Sequence, residues 1–226
     1  MTHSPEELTI FLDPGHGGSD CGNAKEYDFD QEGANFEMAI YEEADINLAV
    51  ALKAKAKLEA LGYNVILSRT GDTFVEEKDR PVAAVNANAS MFISIHVNSH
   101  EGDVAHGFEA YYSAKENLGY DAKAFAELFT KEFEEFKDIV SINDPTQPAY
   151  PNMTIRGTKA DTELYTNGLA VLNQKESQMP STLLELGFLS NEKDAFMLQS
   201  TYWQNFAAEA IADAVVAAHI AGIYKK

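Results

Sequence analysis

Short apolar runs alternate with stretches of helical spacing along most of this chain, and that alternation leaves few folds open. Thr9–Leu12, Asn64–Arg69, Met91–His96, Gly107–Tyr112 and Ser181–Leu186 read as strands. Helices are predicted over Asp45–Leu61, Arg80–Asn88, Ala122–Phe136, Glu192–Gln199 and Tyr202–Ile220. The first helix carries Leu48, Ala51, Ala54, Leu58 and Leu61 at three- and four-residue steps, and Gly62 stands where a helix-ending glycine belongs. Phe125, Leu128, Phe129 and Phe133 share a face of the third, and Phe206, Ala210, Ile211 and Val215 a face of the last. This β-α-β-α-β order implies an α/β fold, with a mainly parallel sheet flanked by helices on both faces. Two segments read as irregular: a polar loop from Asp13 to about Tyr41, and residues 137–168 with Pro145, Pro148 and Pro151.

Composition narrows the function. With 226 residues, 45% of them hydrophobic, the chain suits one domain spanning 1–226. A net charge of -19 disfavours nucleic acid and anionic membranes as partners. The single cysteine, Cys21, rules out an intramolecular disulfide. No apolar run approaches the ~20 residues of a transmembrane segment. The first residues, Met1-Thr2-His3-Ser4-Pro5-Glu6-Glu7, lack a signal-peptide pattern, so we expect export by other means, a phage-encoded protein or an excised domain.

Chemistry gathers at the strand ends. His16 follows the first strand within Asp13-Pro14-Gly15-His16-Gly17-Gly18, where glycines permit positive φ and close approach. His96 closes Met91–His96, Glu185 lies near the end of Ser181–Leu186, and Glu43 just precedes a helix. Sites in parallel sheets form at the strands' carboxyl ends, so all four belong to one rim. His16, Glu43 and His96 make a ligand set suited to catalytic zinc, which keeps an open position and lowers the pKa of bound water to about 7. Glu185, in an apolar strand, suits the proton carrier, because burial raises a carboxyl pKa. The glycine-rich turn lacks the Lys-Ser/Thr ending of a phosphate loop.

These residues resemble a known family. Asp13-Pro14-Gly15-His16-Gly17-Gly18, Glu43-Ala44-Asp45-Ile46-Asn47-Leu48, Ser94-Ile95-His96-Val97-Asn98 and Leu184-Glu185-Leu186-Gly187-Phe188-Leu189-Ser190-Asn191 are similar, in that order, to the zinc-dependent N-acetylmuramoyl-L-alanine amidases of the Amidase_3 type. Leu67-Ser68-Arg69-Thr70 and Gly107-Phe108-Glu109-Ala110-Tyr111-Tyr112 add lesser matches. The resemblance covers a core of about 9–220 and implies a twisted sheet, Zn2+ on His16, Glu43 and His96, and Glu185 as the catalytic acid–base. It also implies peptidoglycan as substrate, cleaved between the lactyl group of N-acetylmuramic acid and L-alanine, with action at the bacterial cell wall. A separate wall-targeting domain or partner is expected, as no such module is visible. The chain departs from the family in a longer, more acidic loop over Gly22–Glu42 and in Ala44 where lysine is common.

Other assignments stay open. Asp28, Asp30, Glu32, Glu37 and Glu42 compete with Glu43 as carboxylates. His100 and His106 read as loop residues, and Cys21 as a loop thiol. Arg156 is either a surface ion-pair residue or a partner for a substrate carboxylate, and Tyr150, Tyr165 and Asn167 are candidates to line a groove. A zinc peptidase on the same scaffold is the second reading. A non-catalytic glycan-binding module is the third, and the presence of all four site residues argues against it.

Overall fold

The computed structural model describes residues 3–28, 38–115, 118–137, 153–172 and 179–225. Eight strands occur among them: β1 (Thr9–Pro14), β2 (Ala24–Asp28), β3 (Met38–Glu42), β4 (Asn64–Leu67), β5 (Met91–Asn98), β6 (Phe108–Tyr112), β7 (Ile155–Ala160) and β8 (Ser181–Phe188). Five α-helices accompany them: α1 (Glu43–Ala60), α2 (Asp79–Asn86), α3 (Ala122–Lys137), α4 (Glu192–Gln199) and α5 (Thr201–Ala221). Six strands form one sheet in the order β4-β1-β5-β8-β6-β7. The first four of that order run parallel, β6 is antiparallel to β8, and β7 is parallel to β6. The mainly parallel α/β architecture is therefore as expected.

Strand alternation assigns the two faces. Ile10, Leu12, Ile93, Ile95, Val97, Leu184, Leu186, Phe108 and Ala110 join one core with residues of α1, α3 and α5. Six alanines of α5 (Ala207, Ala208, Ala210, Ala212, Ala214 and Ala218) are buried, and their small side chains let that helix pack closely against its neighbours. The opposite face is thinner. Phe11, Phe92, Tyr111 and Leu183 pack there with Ala84 of α2 and with Val171 and Leu172 of a short 3-10 turn. On this second face the strands change character along their length. Phe11 is followed by Asp13, Phe92 by Ser94 and His96, and Leu183 by Glu185. Apolar ends anchor the layer, and polar ends line the rim.

Four expectations need correction. Within the supposed loop from Asp13 to Tyr41, β2 and β3 pair as an antiparallel ribbon. It is secured by Tyr27, whose hydroxyl donates to the Leu189 carbonyl and whose ring lies against Tyr41 and Phe196. The supposedly irregular segment after residue 137 contains β7. The fourth strand stops at Leu67; the Ser68 N–H makes one more bond to the Leu12 carbonyl, and the side chains of Ser68 and Arg69 turn to Asp13 and the Pro14 carbonyl. The buried stripe of α1 runs through Ala44, Ile46, Val50, Ala51, Ala54 and Leu58, while Leu61 is 49% exposed. Gly62 ends that helix with φ 92°, as its position implied.

Candidate metal centre

His16 is held in an unusual backbone state. Its φ is 60°, followed by Gly17 at 124° and Gly18 at 62°, so a non-glycine residue sits in the left-handed region. Two buried arginines hold the turn in that shape. Arg69 donates to the carbonyls of Pro14 and Gly15, and also to that of Ala44 at the start of α1. Arg80 donates to the carbonyls of Pro14 and His16 and forms a 2.9 Å ion pair with the buried carboxylate of Asp13. Ser68 and Ser94 complete the shell around Asp13.

The turn brings His16 to Glu43 and His96. His16 Nε2 lies 3.2 Å, and His96 Nδ1 2.9 Å, from Glu43 Oε1, and one donor atom from each residue falls within 4.8 Å of the others. Glu43 is 1% exposed at the first turn of α1. Its other oxygen accepts from the backbone N–H and side-chain amide of Asn23, and Oε1 accepts from Val97 N–H. Burial opposes its ionisation, but hydrogen bonds and positive charge from the two imidazoles win, so its carboxyl stays far below the usual range. His16 shows the reverse balance: burial lowers its pKa, yet Glu43 and Asp20 together lift it to about 9.

This donor set fits a divalent cation. Asp20 Oδ2 lies 2.8 Å from His16 Nδ1, which orients the ring and leaves Nε2 to face the centre, as carboxylate–histidine–metal arrangements do. The space is also reserved by glycines. A Cβ on Gly15 would lie 2.2 Å from His96 Cε1, and one on Gly22 2.7 Å from Glu43 Oε2. Gly15 thus serves close approach; the positive φ expected around His16 falls on His16 itself and on Gly17 and Gly18.

Glu185 lies beside this trio. It pairs in register with His96 on one side and with Glu109 on the other. Its Oε2 is buried with no hydrogen-bond partner among the described residues, although part of the residue remains accessible. Burial, reinforced by the charges of Glu43 and Glu109, pushes its carboxyl well above the ordinary value. A buried acid lacking a partner is costly unless it stays protonated or meets a ligand.

The structure brings His16, Glu43, His96 and Glu185 to one rim. It leaves the other candidates outside the trio. His100 and His106 are exposed loop residues, and Cys21 Sγ donates to the Gly22 carbonyl. Glu42 ends β3 just before α1, with no side-chain bond to the helix start, and Asp28 ends β2. Asp30, Glu32, Glu37 and Tyr150 lie outside the described residues, while Tyr165 and Asn167 are exposed. Sequence reasoning missed Asp20, Asn23, Arg80 and Glu109. Glu109 carried a usable signal, since it is an acid inside an apolar strand, as Glu185 is.

Fold and site together define an α/β protein with a His-Glu-His donor set that fits a metal ion and a largely buried acid at the carboxyl rim of its sheet. The profile of the N-acetylmuramoyl-L-alanine amidase family Amidase_3 matches residues 10–217, and the chain belongs to that family. It is 31% identical to N-acetylmuramoyl-L-alanine amidase LytC of Bacillus subtilis over 92% of its own length, but spans only 35% of that relative. Among solved structures, N-acetylmuramoyl-L-alanine amidase from Clostridium difficile 630 superposes with a TM-score of 0.72 at 30% identity, covering 93% of this chain and 96% of the other. The catalytic domain of CwlV from Bacillus (Paenibacillus) polymyxa gives 0.71 at 29% identity, covering 96% and 99%.

Proposed function

We propose that this chain is a zinc-dependent amidase that cleaves peptidoglycan between N-acetylmuramic acid and L-alanine. The observation that carries the reading is the junction of two sets of groups. Three donor atoms lie within 4.8 Å of one another, and the adjoining strand supplies a carboxyl whose Oε2 is buried with no hydrogen-bond partner among the described residues. Two imidazoles and one carboxylate are a donor set that zinc accepts while keeping a position open. Bound there, zinc would supply Lewis acidity toward the scissile carbonyl and toward attacking water.

In this reading His16, Glu43 and His96 hold the ion, Asp20 fixes the His16 ring, and Asn23 fixes Glu43. Glu185 takes a proton from the attacking water and returns it to the departing amine of L-alanine. Burial and the charges of Glu43 and Glu109 raise its carboxyl pKa well above the ordinary value, which favours holding the proton between the two transfers. Delivery to the wall falls to a separate wall-targeting segment or partner, because a chain of charge -19 is repelled by anionic polymers.

Metal analysis paired with digestion of purified walls tests the proposal. About one zinc per chain, new L-alanine amino termini, and loss of both on chelation are expected. Release of free amino acids from short peptides, with walls left intact, would replace this reading by the peptidase one.

A further inference from the structure

The row of side chains that begins with His96 and Glu185 continues one strand further to Glu109. This carboxylate is 2% exposed. Its Oε1 accepts from the Tyr111 hydroxyl and the Asn98 side-chain amide. Its Oε2 takes both Arg156 Nε, at 2.6 Å, and Lys159 Nζ. Two cations thus share one oxygen, in a chain whose surface is otherwise strongly acidic.

Arg156 reaches this position through a defect in the sheet. Between β6 and β7 the register steps from Phe108↔Ile155 to Glu109↔Gly157, which leaves Arg156 as the extra residue of a bulge, and Gly157 follows with φ 89°. Bulges are rare in parallel pairs and re-aim a side chain where they occur. Here the guanidinium lies 4.9 Å from the centroid of the Phe188 ring and is tied to Glu109 through Nε alone. Among the described residues, its Nη1 and Nη2 groups have no hydrogen-bond partner. Asp194 feels its charge without touching it, being occupied by the N–H groups of Gly107 and Phe188. The Arg156 side chain is 34% exposed. The result is a planar fork, fixed at its base and on one face, with both outer prongs available. That geometry matches a carboxylate.

We propose that Arg156 binds a carboxylate of the substrate's peptide, on the leaving-amine side of the cleaved bond, with Lys159 neutralising Glu109 so that the guanidinium charge remains available. The inference rests on the amidase reading. It places the charge within a short peptide's reach of the chemistry: β7 lies two strands from β8, about 10 Å, or roughly three extended residues. The acid is therefore expected on the residue that follows L-alanine, whose extended carboxylates fall within that span.

Two probes test this with the zinc-loaded protein. One is an N-acetylmuramoyl dipeptide with L-alanine followed by an acidic residue. The other is the same compound with that residue's carboxylates converted to amides. The acidic probe is expected to have a kcat/KM on the order of tenfold higher, carried by KM. In Arg156→Gln that ratio should fall toward one, and in Arg156→Lys it should lie between. A purely structural role for Arg156 would lower turnover of both probes together and leave the ratio intact, which would overturn the proposal. Equal cleavage of both probes by the unmodified protein would overturn this inference and leave the amidase reading standing. Cleavage of neither would overturn both.

Discussion

His96 on β5 stands directly opposite Glu185 on β8 in a parallel register, so a candidate ligand and the candidate acid–base share one rung of the sheet. Neighbouring rungs of one face keep their side chains adjacent, and the separation is set by backbone hydrogen bonds rather than by a loop. Replacing Glu185 by Gln keeps the shape and removes only the ability to carry a proton. We expect unchanged zinc content and a fall in kcat of about 10²–10⁴-fold. Stoichiometric metal analysis beside wall-digestion kinetics checks both halves, and full turnover in this variant would remove Glu185 from the mechanism.

Gly15 lies beneath the His96 ring and does not use a positive φ. Alanine therefore fits the backbone at this position, but its methyl group collides with His96. Gly15→Ala should fold normally by circular dichroism while displacing one candidate ligand, His96. A weakening of zinc affinity of about 10–100-fold is expected, the range found when groups that orient metal ligands are disturbed. Competition against a chromogenic chelator measures it. Unchanged affinity would show that His96 is not a ligand.

How much of this was legible in the sequence follows from which residues had to be apolar. His16, His96 and Glu185 could be placed because each ends or interrupts an apolar run whose strand character is plain, and Glu43 because it precedes a helix. The site's supports were hidden. Asp20 and Asn23 are polar loop residues whose partners lie across the fold. Arg80 sits on a helix as an ordinary surface arginine would, yet it is 3% exposed. β7 escaped notice because Ile155-Arg156-Gly157-Thr158-Lys159-Ala160 is charged and contains a glycine, and only the buried Glu109 explains those charges. The β2–β3 ribbon escaped for a related reason: its anchor is a tyrosine hydroxyl bonded to a distant carbonyl, which leaves no periodic trace.

The Arg80–Asp13 pair offers a separable test of what holds the His16 turn. Both side chains are buried, and Arg80 also serves the carbonyls of Pro14 and His16. Arg80→Met strands the Asp13 carboxylate and should cost about 3–5 kcal/mol of unfolding free energy. Adding Asp13→Asn removes the stranded charge and should recover part of that loss, a non-additivity expected of residues in contact. Urea unfolding of the two single variants and the double variant measures it. Simple additivity would mean that the pair does not act as a unit.

Glu109 sets a pH dependence whose direction follows from its surroundings. Burial would raise its pKa, but hydrogen bonds from Lys159, Arg156 and Tyr111 outweigh it, so the folded value lies below the ordinary 4.5. A carboxyl with a depressed folded pKa contributes stability in full above its unfolded pKa and loses it as pH falls through the folded one. The protein should therefore lose stability on acidification below about pH 4.5, and Glu109→Gln should show a flatter profile there. At neutral pH that variant should be about 2–3 kcal/mol less stable, less than for a fully buried pair because Arg156 and Lys159 keep partial access to water. Denaturant midpoints at a series of pH values decide the matter. A variant that tracks the unmodified protein through the acid range would show that the cluster is not held by the Glu109 charge.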